Sequence, residues 1–262
     1  MHDSLQLTSV HLRVADLARS LDYYTRQLGF VLVNATPTHA ELAVAPATPA
    51  LLTLTGDPSA PPAPPDAAGL FHAALVFPTR AALATWLTHA VAVGVEFEGA
   101  SDHEVSEALY FSDPDGNGLE FYVDRPRSAW PFAAHGELAM TTQRLDLPAL
   151  LATALPPAPT PLAGARWGHL HLRVTDLDRS DAFYRAILGM VVTQGTYPGA
   201  RFLAADGYHH HLGLNTWGRP RTPRPATALG LVSATFALPS VTSTRHLADP
   251  DGIALTLTPT PS

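Results

Sequence analysis

The stretch HLRVADLARSLDYYTRQLGFV, residues 11–31, recurs as HLRVTDLDRSDAFYRAILGMV at residues 171–191, with 12 identities in 21 positions. In both copies apolar residues first alternate as in a strand, and an aspartate then stands at a helix N-cap position. Apolar residues at helical spacing follow, and a glycine ends the helix. Strand-like runs come next, so each copy predicts a β-α-β-β-β module. The recurrence predicts a duplicated chain.

A second, fainter unit has the same order of elements. It opens with GLFHAALVF at 69–77, continues through a helix from about Arg80 to Val93, and closes with ALYFSDPDGNGLEFYV at 108–123. Its counterpart opens with GLVSATFAL at 230–238 and closes with DPDGIALTLT at 249–258. The counterpart is shorter by about the length of a crossover helix and a turn. The sequence therefore predicts an α+β protein of four β-α-β-β-β modules, the fourth lacking its helix.

Proline-rich stretches separate these units, because proline at this density fits neither ladders nor helix interiors. We expect a first domain of modules one and two at 1–127 and a connector at 128–165. Module three and the truncated module four then form a second domain at 166–262.

The composition excludes several kinds of chemistry. The chain has no Cys and no Lys among its 262 residues, so it can build neither thiolate metal sites nor a lysine Schiff base. It has 13 His, which makes a metal held by His, Asp or Glu the expected kind of site. A formal charge of −7 and the lack of a basic run argue against nucleic acid. No apolar run is long enough for a membrane span and the N-terminus lacks signal-peptide features, so we expect a cytoplasmic protein.

The blocks SDHEVSEALYFSDPDGNGLEFYVDRPR, GHLHLRV and GYHHHLGLNTW, with the module pattern, resemble the vicinal oxygen chelate superfamily of glyoxalases, bleomycin-resistance proteins and extradiol dioxygenases. Within it, they are most similar to the two-domain catechol 2,3-dioxygenases. The resemblance covers most of the chain. It implies an oxidoreductase of aromatic catabolism that uses O₂ and a small aromatic diol and opens the ring beside the diol to a semialdehyde. Fe(II) is the implied metal, and the sequence leaves open whether Mn(II) can replace it.

In this superfamily the metal ligands come from the first and last strands of two paired modules. Module two then contributes His72 and Glu120, and the third ligand depends on which module pairs with it. Pairing with module one would supply His11, and pairing with module three would supply His171. We favour His72, Glu120 and His171, because module three also carries a histidine run for proton transfer. Two imidazoles and a carboxylate suit a non-haem Fe(II) centre with open positions.

The resemblance also implies the groups that act on substrate. His209 and His211 are the expected acid/base candidates, with His210 pointing to the opposite side because neighbouring strand residues alternate between faces. His103 and Tyr110 are expected to hydrogen-bond the substrate oxygens. The extradiol signature around them departs at Ser101, where Gly, Asn, Thr, Ile or Val is usual. We expect four further histidines and two repeated strand arginines to be structural, namely His39, His89, His135, His246, Arg13 and Arg173.

Two alternatives stay open. A glyoxalase-like lyase or isomerase on Zn²⁺ or Ni²⁺ would need a fourth protein ligand, for which His211 is the candidate. A binding or resistance protein of the same fold would need no metal. Exchange of modules between chains is known for the fold, so a homo-oligomer is a further expectation that the sequence does not decide.

Overall fold

The computed structural model describes residues 5–134 and 136–260. The predicted residue His135 lies outside this part of the chain. Module one contains β1 (Gln6–Val14), α1 (Leu17–Asp22), a π-helical turn (Tyr23–Gln27), β2 (Val31–Thr36), β3 (His39–Ala43) and β4 (Leu52–Gly56). Module two contains β5 (Gly69–Phe77), α2 (Arg80–Ala92), β6 (Gly99–Asp102), β7 (Ser106–Ser112) and β8 (Gly118–Asp124).

The connector and the second half complete the chain. A 3₁₀ turn (Arg127–Ala129), β9 (Gln143–Arg144) and α3 (Leu147–Leu151) lie between the halves. Module three contains β10 (Arg166–Arg173), α4 (Leu177–Leu188), β11 (Val191–Gln194), β12 (Ala200–Ala204) and β13 (Leu212–Asn215). Module four contains β14 (Gly230–Leu238), β15 (Arg245–Ala248) and β16 (Ala254–Pro259). The predicted α+β class is confirmed, and β14 connects to β15 without a helix.

The strands form two sheets that do not follow the division of the sequence into halves. A seven-stranded sheet has the order β15-β16-β14-β1-β4-β3-β2, which joins modules four and one. A nine-stranded sheet has the order β11-β12-β13-β10-β5-β8-β7-β6-β9, which joins modules three and two. The antiparallel pair β5–β10 sets His171 directly opposite His72, and the pair β1–β14 sets His11 opposite Ser233. His11 therefore lies in a different sheet from His72 and Glu120.

The repeated helices begin and end as their sequences indicate. The side chains of Asp16 and Asp176 accept hydrogen bonds from the backbone N–H groups of Arg19 and Arg179, which are otherwise unsatisfied at a helix N-terminus. Gly189 ends α4 in the left-handed conformation with φ +67°. In module one, the last part of the helix widens into the π turn.

The hydrophobic core is continuous between the sheets and their helices. Its largest fully buried side chains include Trp86, Trp167, Tyr24, Tyr184 and Phe121. In the described ranges, the helices are too short or too polar to span a membrane. The DPDG segment at 113–116 is a tight turn between β7 and β8, in which Asp113 accepts hydrogen bonds from the backbone N–H groups of Asp115 and Asn117.

Candidate metal centre and catalytic cavity

Three buried side chains from β5, β8 and β10 converge on one point. His72 Nε2 lies 2.9 Å from Glu120 Oε2, and His169 Nε2 lies 3.1 Å from the same oxygen. The two imidazole nitrogens are 3.4 Å apart. In the part of the chain that the structure describes, these are the residues whose donor atoms are grouped closely enough to share a metal ion. Two of them, His72 and Glu120, are the predicted module-two ligands.

The third member of this group is His169, where the sequence analysis favoured His171. Both side chains lie on the same face of β10, because alternate strand residues share a face. His169 is opposite the small Ala74 on β5, and Ala74 in turn is paired with Glu120 on β8. His171 is opposite His72 instead, and its ring packs against Phe71 and Trp217. The pairing of strands therefore brings His169 to the carboxylate and leaves His171 beside it.

The protonation states of these groups suit metal binding. Burial opposes the charge of Glu120, but the adjacent His169 and His72 outweigh it and hold the pKa of this carboxyl well below its usual range. Burial lowers the pKa of His169 to about 4 despite the opposing effect of Glu120. At neutral pH the group therefore offers a carboxylate and a neutral imidazole, which are the forms that coordinate metals. His169 Nδ1 is buried and has no hydrogen-bond partner among the described residues.

A cavity of about 410 Å³, within the size range of small-molecule sites, is lined by His72 and Glu120 of this group. Phe71, Phe202, Tyr197 and Trp217 give it aromatic walls. Its polar lining includes His72, Glu120, His103, Tyr110, His171 and His210. The cavity therefore combines aromatic walls with polar groups beside the candidate metal site. We refer to it below as the catalytic cavity.

The predicted pair His103 and Tyr110 meets in the wall of this cavity. His103 Nδ1 lies 2.6 Å from the carbonyl oxygen of Thr141, so it must donate its proton there. The other nitrogen, Nε2, is then an acceptor, and it lies 2.7 Å from the Tyr110 hydroxyl. Burial and then the charge of Glu120 raise the pKa of Tyr110 well above its usual value, so it remains a phenol. Its oxygen keeps lone pairs that can accept a hydrogen bond from a hydroxyl in the cavity.

The run His209–His211 alternates in direction, but the residue that lines the cavity is His210. The His210 ring centroid is 4.0 Å from that of His169. His209 points the other way, and its Nε2 is 2.7 Å from Asp124 Oδ1. His211 packs against Tyr208 and accepts a hydrogen bond from the Ala205 backbone N–H, so it does not join the three donors. The structure thus sets the predicted His209 and His211 outside the cavity wall.

Comparison with known proteins identifies the family of this chain. A profile described as the glyoxalase/bleomycin resistance protein/dioxygenase superfamily matches residues 6–121 and 166–250. The chain belongs to this superfamily. The catechol-2,3-dioxygenase of Bacillus subtilis (strain 168) is 42% identical over 248 residues, which cover 91% of this chain and 85% of that protein. This relationship groups the chain with the dioxygenase enzymes of the superfamily.

Other superfamily members match less of the sequence or only the fold. Biphenyl-2,3-diol 1,2-dioxygenase 2 of Rhodococcus globerulus is 36% identical over 74 residues, 28% of this chain and 39% of that protein. A crystal structure from Bacillus subtilis covers all of this chain and 87% of its own, with a TM-score of 0.66 and 13% identity. Glyoxalase I from Zea mays covers 98% of this chain and 93% of its own, with a TM-score of 0.58 and 19% identity. The structural similarity shows that the fold is shared.

The seven-stranded sheet of this superfamily member repeats the central strand order of the nine-stranded sheet without the donors. The repeat offset of 160 residues sets Ser9 at the position of His169. The paired strands β14 and β16 carry Ser233 and Thr256, where β5 and β8 carry His72 and Glu120. His11 bonds the Thr55 hydroxyl at 2.8 Å through Nε2. The seven-stranded sheet therefore lacks the set of groups that the nine-stranded sheet brings together.

Sequence reasoning missed His169 and His210, although a signal for His169 was present. His169 is followed by a core leucine, Leu172, three residues later, as His72 is followed by Leu75. This shared spacing marks equivalent positions in modules three and two. The repeat alignment instead drew attention to His171, because His11 recurs there. For His210, a loop rather than a strand carries the residue, so alternation alone could not decide which member of the run faces the cavity.

Proposed function

We propose that this chain is an Fe(II)-dependent extradiol dioxygenase that opens catechols with O₂ to a semialdehyde. The observation that carries the proposal is the buried group of His72, Glu120 and His169 under an aromatic cavity. Two imidazoles and one carboxylate fit the facial triad of non-haem Fe(II) oxygenases, which leaves positions for a diol and O₂. The identity with the Bacillus subtilis catechol-2,3-dioxygenase over most of both chains supports the same reaction class.

The donor set fits a divalent metal by its own chemistry. Each of the two histidines directs Nε2 at one carboxylate oxygen, and no Arg pairs with Glu120 among the ion pairs of the described residues. A buried carboxylate is costly without a cation, so this site favours one. His72, Glu120 and His169 would hold the ion. When bound, Fe(II) supplies the redox chemistry that joins O₂ to the diol.

His210 is the proposed acid/base in place of His209 and His211. Asp124 can only accept, so His209 Nε2 donates its proton to it, and His209 Nδ1 becomes an acceptor. The two Nδ1 atoms of His209 and His210 are 2.7 Å apart, so His210 Nδ1 carries a proton. His210 Nε2 is then a lone pair that can take a proton from a catechol hydroxyl and later return it. The overall reaction, catechol plus O₂ giving the semialdehyde, consumes no proton.

Other wall residues orient the substrate. The Tyr110 oxygen can accept a hydrogen bond from the diol, and His103 holds that phenol in place. His171 is buried in the wall with Nε2 unpartnered among the described residues, and its pKa is held well below its usual value by burial. It therefore offers a neutral imidazole to the substrate. The aromatic walls exclude water from the reacting ring.

The test is O₂ uptake when catechol is added to protein loaded anaerobically with Fe(II). We expect uptake together with a yellow ring-opened product, and loss of both in Glu120→Gln. His11→Ala is the matched control, because His11 lies in the other sheet, and it should retain activity. Stoichiometric metal without O₂ uptake on any catechol would refute the proposal. The glyoxalase-like alternative would then require activity with Zn²⁺ or Ni²⁺, although His211 points away from the donors.

A further inference from the structure

Two cavities meet at Arg173. The first is the catalytic cavity, and the second, of about 360 Å³, lies between the two sheets. Arg173 and Gly116 line both of them. Arg221 and Arg224 also line the second cavity, together with the proline-rich segment 62–65. We call it the arginine cavity. A molecule bound over the metal donors therefore has a cationic compartment beside it.

Two of these guanidinium groups have unused hydrogen-bonding capacity. Arg173 donates from Nη1 to the carbonyl of Leu70 at 2.6 Å and stacks over the Phe71 ring at 4.8 Å. Arg221 donates to the carbonyls of Pro65 and Trp217, and its Nε is buried without a hydrogen-bond partner among the described residues. None of the ion pairs in residues 5–134 and 136–260 involves either arginine.

The other charged residues of the arginine cavity are already bound to partners within the protein. Arg224 uses Nε, Nη1 and Nη2 to bind the backbone carbonyls of Leu229, Leu231 and Ala228, so its role is structural. Asp115 is paired with Arg19 and accepts from the backbone N–H of Ala15. The acidic residue of this wall thus does not neutralise Arg173 or Arg221.

The internal repeat provides a comparison for Arg173. Its counterpart in module one, Arg13, has the carboxylate of Asp57 at 4.0 Å from Nε. At the offset of 160 residues, the position of Asp57 is taken by Trp217 in the catalytic half. Trp217 lines the catalytic cavity. The copy of this arginine that borders the active site therefore has an aromatic wall where the other copy has an acid.

Electrostatics make this arrangement costly without an anion. Burial, and then the charge of Arg221, lower the pKa of Arg173. Two cations that repel each other in a partly buried site gain stability when a carboxylate binds between or beside them. Arginine also matches the planar geometry of a carboxylate with paired N–H donors.

We propose that the natural substrate is a catechol whose ring carries an anionic substituent, a carboxylate on a short chain, bound by Arg173 and Arg221. The inference rests on the proposed function, since it takes the diol to lie over the metal donors. The Phe71 ring links the two sites: its centroid is 4.8 Å from the Arg173 guanidinium carbon and 5.2 Å from the His72 ring. The Arg173 guanidinium carbon therefore lies within about 10 Å of the His72 ring, which a carboxylate on a short chain can span from the diol.

The first test measures binding without chemistry. Metal-free protein is titrated calorimetrically with 3-phenylpropionate and with 3-phenylpropionamide, which has the same shape and no charge. We expect the acid to bind about tenfold tighter or better, as a charge-assisted hydrogen bond provides. Arg173→Gln and Arg221→Gln should each abolish the preference, whereas Arg26→Gln, an exposed arginine paired with Asp22, should keep it. The preference of the unaltered protein should also shrink as salt rises.

The second test uses protein loaded with Fe(II). We compare kcat/KM for 2,3- and 3,4-dihydroxyphenylpropionate, each with its own methyl ester. For one of the two isomers, kcat/KM of the acid should be more than about tenfold that of the ester. In Arg173→Gln the two values should become nearly equal. Equal affinity for acid and amide, or a preference that survives both arginine changes, would overturn the proposed anion site. Turnover of plain catechol without an acid preference would sink this inference alone. An acid preference in binding without opening of any catechol would sink the dioxygenase proposal and leave the anion site standing.

Discussion

The Nδ1 atoms of His209 and His210 lie 2.7 Å apart, and Asp124 is hydrogen-bonded to the other ring nitrogen of His209. Tyr208 also donates to Asp124, and its hydroxyl lies 2.7 Å from that of Tyr122. This network connects a cavity-lining imidazole to a partly exposed carboxylate. It gives the buried His209 a positioning role, because His209 decides which nitrogen of His210 carries the proton.

Changing the end of this network should lower turnover. In Asp124→Asn, the amide can donate to His209 Nε2, which reverses the hydrogen-bond direction and places a proton on His210 Nε2. We expect kcat to fall by about 100-fold or more, since an acid/base contribution is worth about 100- to 10,000-fold, with a smaller change in KM. Asp22→Asn, an exposed acid paired with Arg26, is the control. Unchanged steady-state kcat would show that the direction of the network does not matter.

The three donors can be separated from the neighbouring histidines by metal binding alone. We expect His169→Ala to weaken Fe(II) binding by more than about 100-fold, since even partners outside the coordination sphere are worth 10- to 100-fold. His171→Ala and His11→Ala should retain one metal per chain, because neither belongs to the group around Glu120. Metal content after anaerobic dialysis measures this. Loss of metal in His171→Ala with retention in His169→Ala would reverse the assignment.

Acid should destabilise the metal-free protein through its buried histidines. Burial lowers the pKa of His169 to about 4 and that of His211 to about 3. Below their unfolded value near 6.5, these imidazoles take up protons only when the chain unfolds. The free energy of unfolding should therefore fall with pH by about 1.4 kcal/mol per unit for each such histidine. Urea unfolding in a chelator at pH 7.5 and 5.5 measures the change, and an equal or higher midpoint at pH 5.5 would contradict it.

A close approach of β8 to β5 depends on Gly118. A Cβ at this position would lie 2.1 Å from the carbonyl oxygen of Phe71 and 3.3 Å from the His72 Cβ. The backbone oxygen cannot rotate away, so we expect Gly118→Ala to lower the free energy of unfolding by about 1–3 kcal/mol and to disturb His72. At Gly99 an added Cβ meets nothing within 4 Å, and Gly99→Ala should change stability by less than about 0.5 kcal/mol. Thermal unfolding of the two variants measures both changes, and equal stability of Gly118→Ala and the unaltered protein would contradict the prediction.

Local patterns were sufficient to predict the modules. The modules are marked by aspartate caps, by terminal glycines and by the recurrence of residues 11–31 at 171–191. These signals lie within one turn, one strand or one repeat, so they can be recognised without the tertiary structure. The missing helix of module four was predicted because the sequence between its first and last strands is too short to include one. His72 and Glu120 were accessible because their strands are the first and last of one module.

What the sequence by itself determined is therefore the set of modules, their superfamily and two of the three donors. The sequence favoured the pairing of module three with module two, and the β5–β10 ladder confirms it. Only the tertiary structure decided that His169 reaches Glu120 across Ala74 and that His210 lines the cavity. The sequence analysis predicted a structural role for Arg173 because it recurs in the repeat, and only the tertiary structure shows that it borders both cavities. The physical reason is that strand register and the direction of a loop are set by contacts between distant segments. A shift of two residues along β10 exchanges one histidine for another without changing the local pattern.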